Sequence, residues 1–217
     1  GYTAGSPKTH CAIAGRLVRQ TGLSIWVPDY RLAPEHPFPA AWDDAYSAFA
    51  ALQDEGYSPS QIVLAGDSAG GGLAFSLLAQ LCAKGTPPAG VIGFSPWVDL
   101  TGKSASIVSN KVRDPLLPAE AFSLLTQYVL AGHSPDDPRA SPLFAKYPDC
   151  PPVLLQVSDS EILRDDSVHL AERLQSFGGR VTLQIAPSTP HAWQILVGRL
   201  PEADVAVSEA ADFIRSL

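Results

Sequence analysis

Methionine is absent from the 217 residues, cysteine occurs three times, and no apolar run approaches the roughly 20 residues needed to cross a bilayer. The cysteines (Cys11, Cys82 and Cys150) are scattered and odd in number, with neither CxxC spacing nor neighbouring histidine pairs. That pattern excludes a disulfide framework and a thiolate metal site, and sets reduced thiols and a cytoplasmic compartment as the expectation. Basic residues are few as well. Fifteen Lys and Arg against 22 Asp and Glu give a net charge of -7. Nucleic acid and anionic membranes reward a basic face, so both are poor partners for this chain. With 46% hydrophobic and 17% charged residues, the composition also excludes a disordered chain. What remains is one globular domain acting on a small molecule; association into a homo-oligomer stays open. No signal peptide is visible, and the start, Gly1-Tyr2-Thr3-Ala4-Gly5-Ser6, reads as the middle of a loop. A fragment without its natural N-terminus is the expectation.

Strand and helix patterns alternate along the chain, which predicts an α/β fold with a mostly parallel sheet covered by helices. A first helix is expected from Ser6 as N-cap, with Pro7 at its first position, to Gly22. Leu23–Pro28 reads as a short strand. A proline-rich loop follows, then a helix with Ala45, Phe49 and Leu52 on one face, ended by Gly56. Gln61–Ala65 reads as a strand leading into a long apolar helix to about Cys82. Val91–Phe94 and Val153–Val157 are continuous apolar runs, as in strands buried on both faces. Val181–Ile185 alternates more and is expected nearer an edge. The last helix is expected over Asp204 to Leu217. Residues 101–152 have a different texture, with a polar stretch, an amphipathic helix pattern over 115–130 and a Pro/Asp-rich tail. An insertion of this kind is expected to lie over the site as a cap or lid.

Gly66-Asp67-Ser68-Ala69-Gly70 fits G-x-S-x-G and stands between a strand pattern and a helix pattern. The motif alone is weak, but its mechanism requires that placement. A strained strand-to-helix turn exposes the serine hydroxyl, and the following helix N-terminus presents amides to a developing oxyanion. The base should follow the last strand, at the carboxyl edge of the sheet, where His191 stands. His10, His36, His133 and His169 are better explained by structure or solvent. The acid that orients the imidazole should follow strand Val153–Val157. Asp165 and Asp166 fit as capping charges of the next helix, which leaves Asp159 and Glu161, inseparable by composition and spacing. Asp67 is expected to point into the scaffold.

Six stretches make the chain resemble a known family. They are Asp29-Tyr30-Arg31-Leu32-Ala33-Pro34-Glu35-His36-Pro37-Phe38-Pro39-Ala40, Gly66-Asp67-Ser68-Ala69-Gly70-Gly71, Ser95-Pro96-Trp97-Val98-Asp99-Leu100, Ala140-Ser141-Pro142-Leu143, Glu161-Ile162-Leu163-Arg164-Asp165-Asp166 and Pro190-His191. In this order they resemble the hormone-sensitive-lipase-like branch of the α/β-hydrolases, the bacterial family IV esterases. The resemblance implies hydrolysis of short- to medium-chain acyl esters without metal or cofactor, through an acyl-enzyme on Ser68 with His191 as base. It favours Glu161 as the acid, since that residue stands where the family usually carries Asp. It also implies that Gly1 is the last glycine of a His-Gly-Gly-Gly stretch. Gly1 and Ala69 would then form the oxyanion hole, and a terminal ammonium at Gly1 would make a poor donor. Loss of one such donor costs about 3–4 kcal/mol, so low activity is expected of the chain as it stands. In the family's strand order a strand lies between Leu23–Pro28 and Gln61–Ala65, and a gap is expected there. Tyr2, Trp97 and Trp193 are candidates for the substrate pocket. An amidase or peptidase of the same fold, or a non-catalytic ligand-binding relative such as the plant gibberellin receptors, are the alternatives.

Overall fold

A computed structural model describes all residues, 1–217. Four strands form one parallel sheet in the order β1-β2-β3-β4: β1 Val63–Asp67, β2 Gly90–Phe94, β3 Val153–Ser158 and β4 Val181–Ala186. The central strands β2 and β3 are buried along their whole length, while β1 and β4, at the edges, are only partly covered. That division follows the sequence texture, since a strand covered on both faces tolerates no polar alternation.

Side-chain direction along a strand alternates, and the two faces sort accordingly. Val91, Val153 and Leu155 pack with Phe75, Leu78, Leu170 and Leu174 on one side. Those partners come from α3 (Ala69–Ala83) and α6 (Arg164–Ser176). Ile92, Phe94 and Leu154 pack on the other side with Ile13 and Leu17 of α1 (Cys11–Thr21) and Val207, Ala210 and Ala211 of α7 (Pro201–Arg215). Helix α2 (Ala40–Asp54) lies against α3 through Phe49, Leu77 and Leu81. α3 is apolar on nearly every side because it is enclosed by α2, the sheet and the residues after β2.

The insertion between β2 and β3 contains a short turn of helix, α4 (Ser106–Ser109), and α5 (Phe122–Leu130). The helix expected over 115–130 is thus shorter. Pro115 and Pro118 lack an N–H and disfavour helix in the residue before them, so only a 3-10 turn, Ala119–Ala121, precedes α5. Phe122, Leu125, Val129 and Leu130 close over Tyr2, Leu73, Trp97 and Ile162 in a second core above the sheet's carboxyl edge.

Three local expectations are corrected. Leu23–Pro28 is not a strand: its residues are irregular and exposed, with Leu23 51% and Trp26 52% accessible. A strand exists only with a hydrogen-bonded neighbour, and no strand pairs with Leu23–Pro28 or with the outer edge of β1, which agrees with the gap expected between them. α1 begins at Cys11 with His10 at its N-cap, because Ser6–His10 are taken up in turns in which the Ser6 carbonyl accepts from Thr9. Asp165 and Asp166 stand in the first turn of α6 but bond outward. Asp166 accepts the Val98 and Asp99 amides and the Ser104 hydroxyl, and Asp165 accepts the Ser106 amide. They fasten the residues after β2 to α6.

Candidate active site

Ser68 stands between β1 and α3 with φ 51° and ψ −119°, a conformation that L-residues adopt rarely. Two bonds hold it there: its amide donates to the Phe94 carbonyl at 2.9 Å, and its carbonyl accepts from the Trp97 amide at 2.9 Å. The turn closes only because its flanks lack side chains. A Cβ on Gly66 would stand 2.2 Å from the Gly70 carbonyl oxygen, and one on Gly71 would stand 2.6 Å from the Pro96 side chain. The Ala69 amide begins α3 and is one of the N-terminal N–H groups with no partner inside the helix.

Glu161 lies in the loop between β3 and α6 and has no accessible surface. Its Oε2 is 2.6 Å from Nδ1 of His191. Its Oε1 accepts the Ser95 hydroxyl at 2.6 Å and the Ser158 amide at 2.8 Å. Carboxylate oxygens accept and do not donate, so the ring must present Nδ1–H, which leaves Nε2 of the neutral ring free as an acceptor. Asp159 is placed otherwise. Its side chain is 38% exposed, pairs with Arg113 at 3.1 Å and accepts the Ser188 amide. Of the two carboxylates, Glu161 faces the imidazole and Asp159 is half exposed beside Arg113.

The loops that carry these groups are tied to each other. The Ser188 and Thr189 amides reach Asp159 and Ser158, and the Ser160 hydroxyl reaches the Thr189 carbonyl. Asn110, in the insertion, donates to the carbonyls of Asp159 and Glu161, and Asp114 accepts the Ile162 amide. Ser95 joins the sets, because its Oγ bonds Glu161 and also accepts the Ala192 amide at 3.3 Å. Ser68 and His191 make no direct hydrogen bond with each other in this arrangement.

The profile of a family described as the alpha/beta hydrolase fold matches residues 1–195. The chain belongs to that family. It is 38% identical over 216 residues to an acetyl-hydrolase of Streptomyces hygroscopicus, covering 99% of this chain and 72% of that one. It is 37% identical over 220 residues to an esterase of Acinetobacter venetianus, again covering 72% of the relative. The crystal structure of an esterase from the bacterial hormone-sensitive lipase family superposes with a TM-score of 0.95 at 38% identity, over 99% of this chain and 73% of that one. Within the α/β-hydrolase fold, the chain therefore groups with the hormone-sensitive-lipase-like serine esterases.

Several stretches shared with this branch prove to be scaffolding. Arg31 forks onto Asp44 at 2.8–3.1 Å, the Ala33 amide donates to the Tyr2 carbonyl, and Ser141 accepts the Leu100 amide. Asp67, as expected, turns into the scaffold, where it meets Nε2 of His10 at 3.0 Å. Burial opposes its ionisation, yet the bond to His10 and the charges of His10 and His191 hold its carboxyl below the usual carboxylate range.

The aromatic candidates for the pocket are mostly core. Trp97 is 2% exposed between Tyr2 and Phe122, with its ring N–H on the Asp99 carbonyl. Trp193 is also 2% exposed, packed on Ala203 and Ala206 of α7. Trp193 also borders a cleft with Gln184, Glu202 and Val205, away from Ser68. Tyr2 lines a small apolar crevice with Ala33, Phe38, Leu73, Leu100 and Val129, which Ser68, Glu161 and His191 do not border. Gly1 is accessible but crowded enough that desolvation pulls its amine down to about 6, against the charge of Asp67. No cluster of three or more His, Cys, Asp or Glu side chains is arranged to hold a metal ion, and no helix is long and apolar enough to cross a membrane.

Sequence reasoning missed Ser95, Asn110 and Asp114. Ser95 carried one available signal, a polar residue directly after a wholly apolar strand, where burial obliges it to find a partner. Asn110 and Asp114 carried none, because their partners lie about fifty positions away.

Proposed function

We propose that the chain hydrolyses short- to medium-chain carboxylic esters through an acyl-enzyme on Ser68, with His191 as general base and Glu161 as its orienting acid. The 2.6 Å contact between Glu161 and His191 is the observation that carries this reading. It fixes the tautomer whose Nε2 can take a proton from the serine. The charge of Glu161 favours the imidazolium that results.

In the first half-reaction the Ser68 oxygen bonds to the ester carbonyl carbon while its proton passes to Nε2 of His191. The negative charge gathers on the carbonyl oxygen, where the Ala69 amide, at a helix N-terminus, lowers its energy; the backbone at Gly1 would face it from the other side. The imidazolium then gives its proton to the departing alkoxide, releasing the alcohol. Water repeats the sequence on the acyl-enzyme and frees the acid. None of these steps calls on a metal or organic cofactor. The contact between Ser68 and His191 is open here and would tighten around a bound ester. Residues 101–152 act as a partial cap, since their aromatic and aliphatic side chains cover the sheet's carboxyl edge. The preference for small acyl groups agrees with the acetyl-hydrolase among the relatives.

A fluorophosphonate probe followed by peptide mapping tests the reading. Covalent label on Ser68, abolished in Ser68→Ala together with ester turnover by about 10⁴-fold or more, is the expected result. Label elsewhere, or turnover that survives Ser68→Ala, refutes it. A panel of p-nitrophenyl esters against the matching anilides should show hydrolysis of the esters.

A further inference from the structure

His10 is not needed for the chemistry just described, yet it lies one residue from the proposed nucleophile through Asp67. Its Nε2 is 3.0 Å from Asp67 Oδ1, and its Nδ1 is 3.1 Å from the Ser6 carbonyl oxygen. The Thr9 hydroxyl, 2.9 Å from the same Nδ1, has its single proton engaged at 2.7 Å with that carbonyl. With the Thr9 proton on that carbonyl, both partners of the ring are acceptors. A neutral imidazole has one N–H and could serve only one of them; the cation serves both.

The two acceptors belong to different walls of the site. Asp67 immediately precedes Ser68 and Ala69, and Ser6 closes the loop that begins at Gly1 and Tyr2. These are the two backbone stretches that would face an oxyanion in the proposed mechanism. We infer that His10, as an imidazolium, is a positioning residue that fixes the spacing between the nucleophile elbow and the loop of residues 1–6.

The electrostatics agree. The bond and charge of Asp67, with the Ser6 carbonyl, outweigh partial burial and hold the His10 imidazole up near 9. Asp67 is also faced by the Tyr30 hydroxyl, the Gly1 amine and His191. Tyr30 is itself pushed up to about 12, so it does not ionise in the working range. The inference rests on the triad reading and adds a prediction to it: turnover should fail on the alkaline side when His10 loses its proton, through a group separate from the base.

The test is the pH dependence of fluorophosphonate labelling, and of kcat and KM for a p-nitrophenyl ester, from pH 5 to 10.5 in wild type, His10→Gln and Asp67→Asn. Wild type should show an alkaline limb near pH 9. His10→Gln should lose that limb and label roughly 10- to 100-fold more slowly at pH 7.5, mainly through kcat. Asp67→Asn should move the limb toward neutrality. A folded His10→Gln variant that keeps the wild-type limb overturns the inference. Histidine NMR titration of the wild type supplies an arm that needs no variant to fold and no activity: His10 titrating near 9 supports it, and titration near 6.5 overturns it. Wild-type labelling at Ser68 alongside an unchanged profile sinks this inference alone, whereas label elsewhere sinks the triad reading.

Discussion

Ser95 donates a 2.6 Å hydrogen bond to Glu161 Oε1 from a residue that has no accessible surface and a φ of 48°. The serine is buried and the carboxylate wholly so, which makes this bond one of the two that satisfy the oxygen not facing His191. Removing a donor from a buried acceptor exposes the full desolvation penalty of the group left behind. Ser95→Ala should therefore lose about 1–3 kcal/mol in urea unfolding. Its kcat should fall as well, because Glu161 is freer to turn from the imidazole. Ser95→Gly removes the same hydroxyl while suiting the positive φ, so an equal drop in kcat with a smaller loss of stability is expected. Unchanged turnover in both variants would show that the brace is dispensable.

Glu161 and Asp159 separate cleanly by substitution. Glu161→Gln keeps the shape but presents an amide to His191 and can stabilise the wrong tautomer, so turnover should fall by about 10⁴-fold. Asp159→Asn disturbs an exposed pair with Arg113, a kind of contact worth at most about 1 kcal/mol, and should leave turnover nearly intact. The reverse pattern in steady-state kinetics would assign the acid to Asp159.

The His10–Asp67 pair also shapes stability against pH. His10 is held near 9 in the folded chain, above about 6.5 for a free imidazole, so folding favours its protonated form. That contribution is fully present below about pH 6.5 and is lost as the pH rises through 9. Asp67 is shifted downward, so its share is present above the ordinary carboxylate range and is lost in acid. The urea midpoint of the wild type should fall between pH 7 and 9.5, and Asp67→Asn should flatten that fall. Identical slopes in the two proteins would mean that the pair does not couple to folding.

Trp26 is 52% exposed, whereas Trp97 and Trp193 are each 2% exposed. Acrylamide should quench a fraction of the fluorescence that disappears in Trp26→Phe. Val27→Ser, in the same exposed run, should change stability by no more than about 0.5 kcal/mol. Leu155→Ala, in the buried strand β3, should cost about 2–5 kcal/mol. A large cost at Val27 would show that the run is packed in solution.

Much of this fold was legible because the sheet writes itself into local texture. β2 and β3 are apolar without interruption since both faces are covered, and β4 alternates because it lies at an edge. Leu23–Pro28 misled for the same reason. Its β-branched and aromatic residues suit a strand, but texture does not report whether a neighbour exists to accept the hydrogen bonds. In the site, Ser68 and His191 could be singled out from position alone, one directly after β1 and the other in the loop that follows β4. The choice of Glu161 over Asp159 rests on burial, which two acidic residues in one loop do not reveal. Ser95, Asn110 and His10 act through partners 49 to 66 positions distant, beyond any local pattern.

The strand order carries a kinetic consequence. The proposed nucleophile, the serine that braces the acid, the acid itself and the base follow β1, β2, β3 and β4 in turn, so each pairing brings in one further member. A chain in which β4 had not paired would leave the proposed base unplaced and would be inert. Recovery of catalysis during refolding therefore requires all three strand pairings, whatever their order, and should not precede spectroscopic signals of collapse.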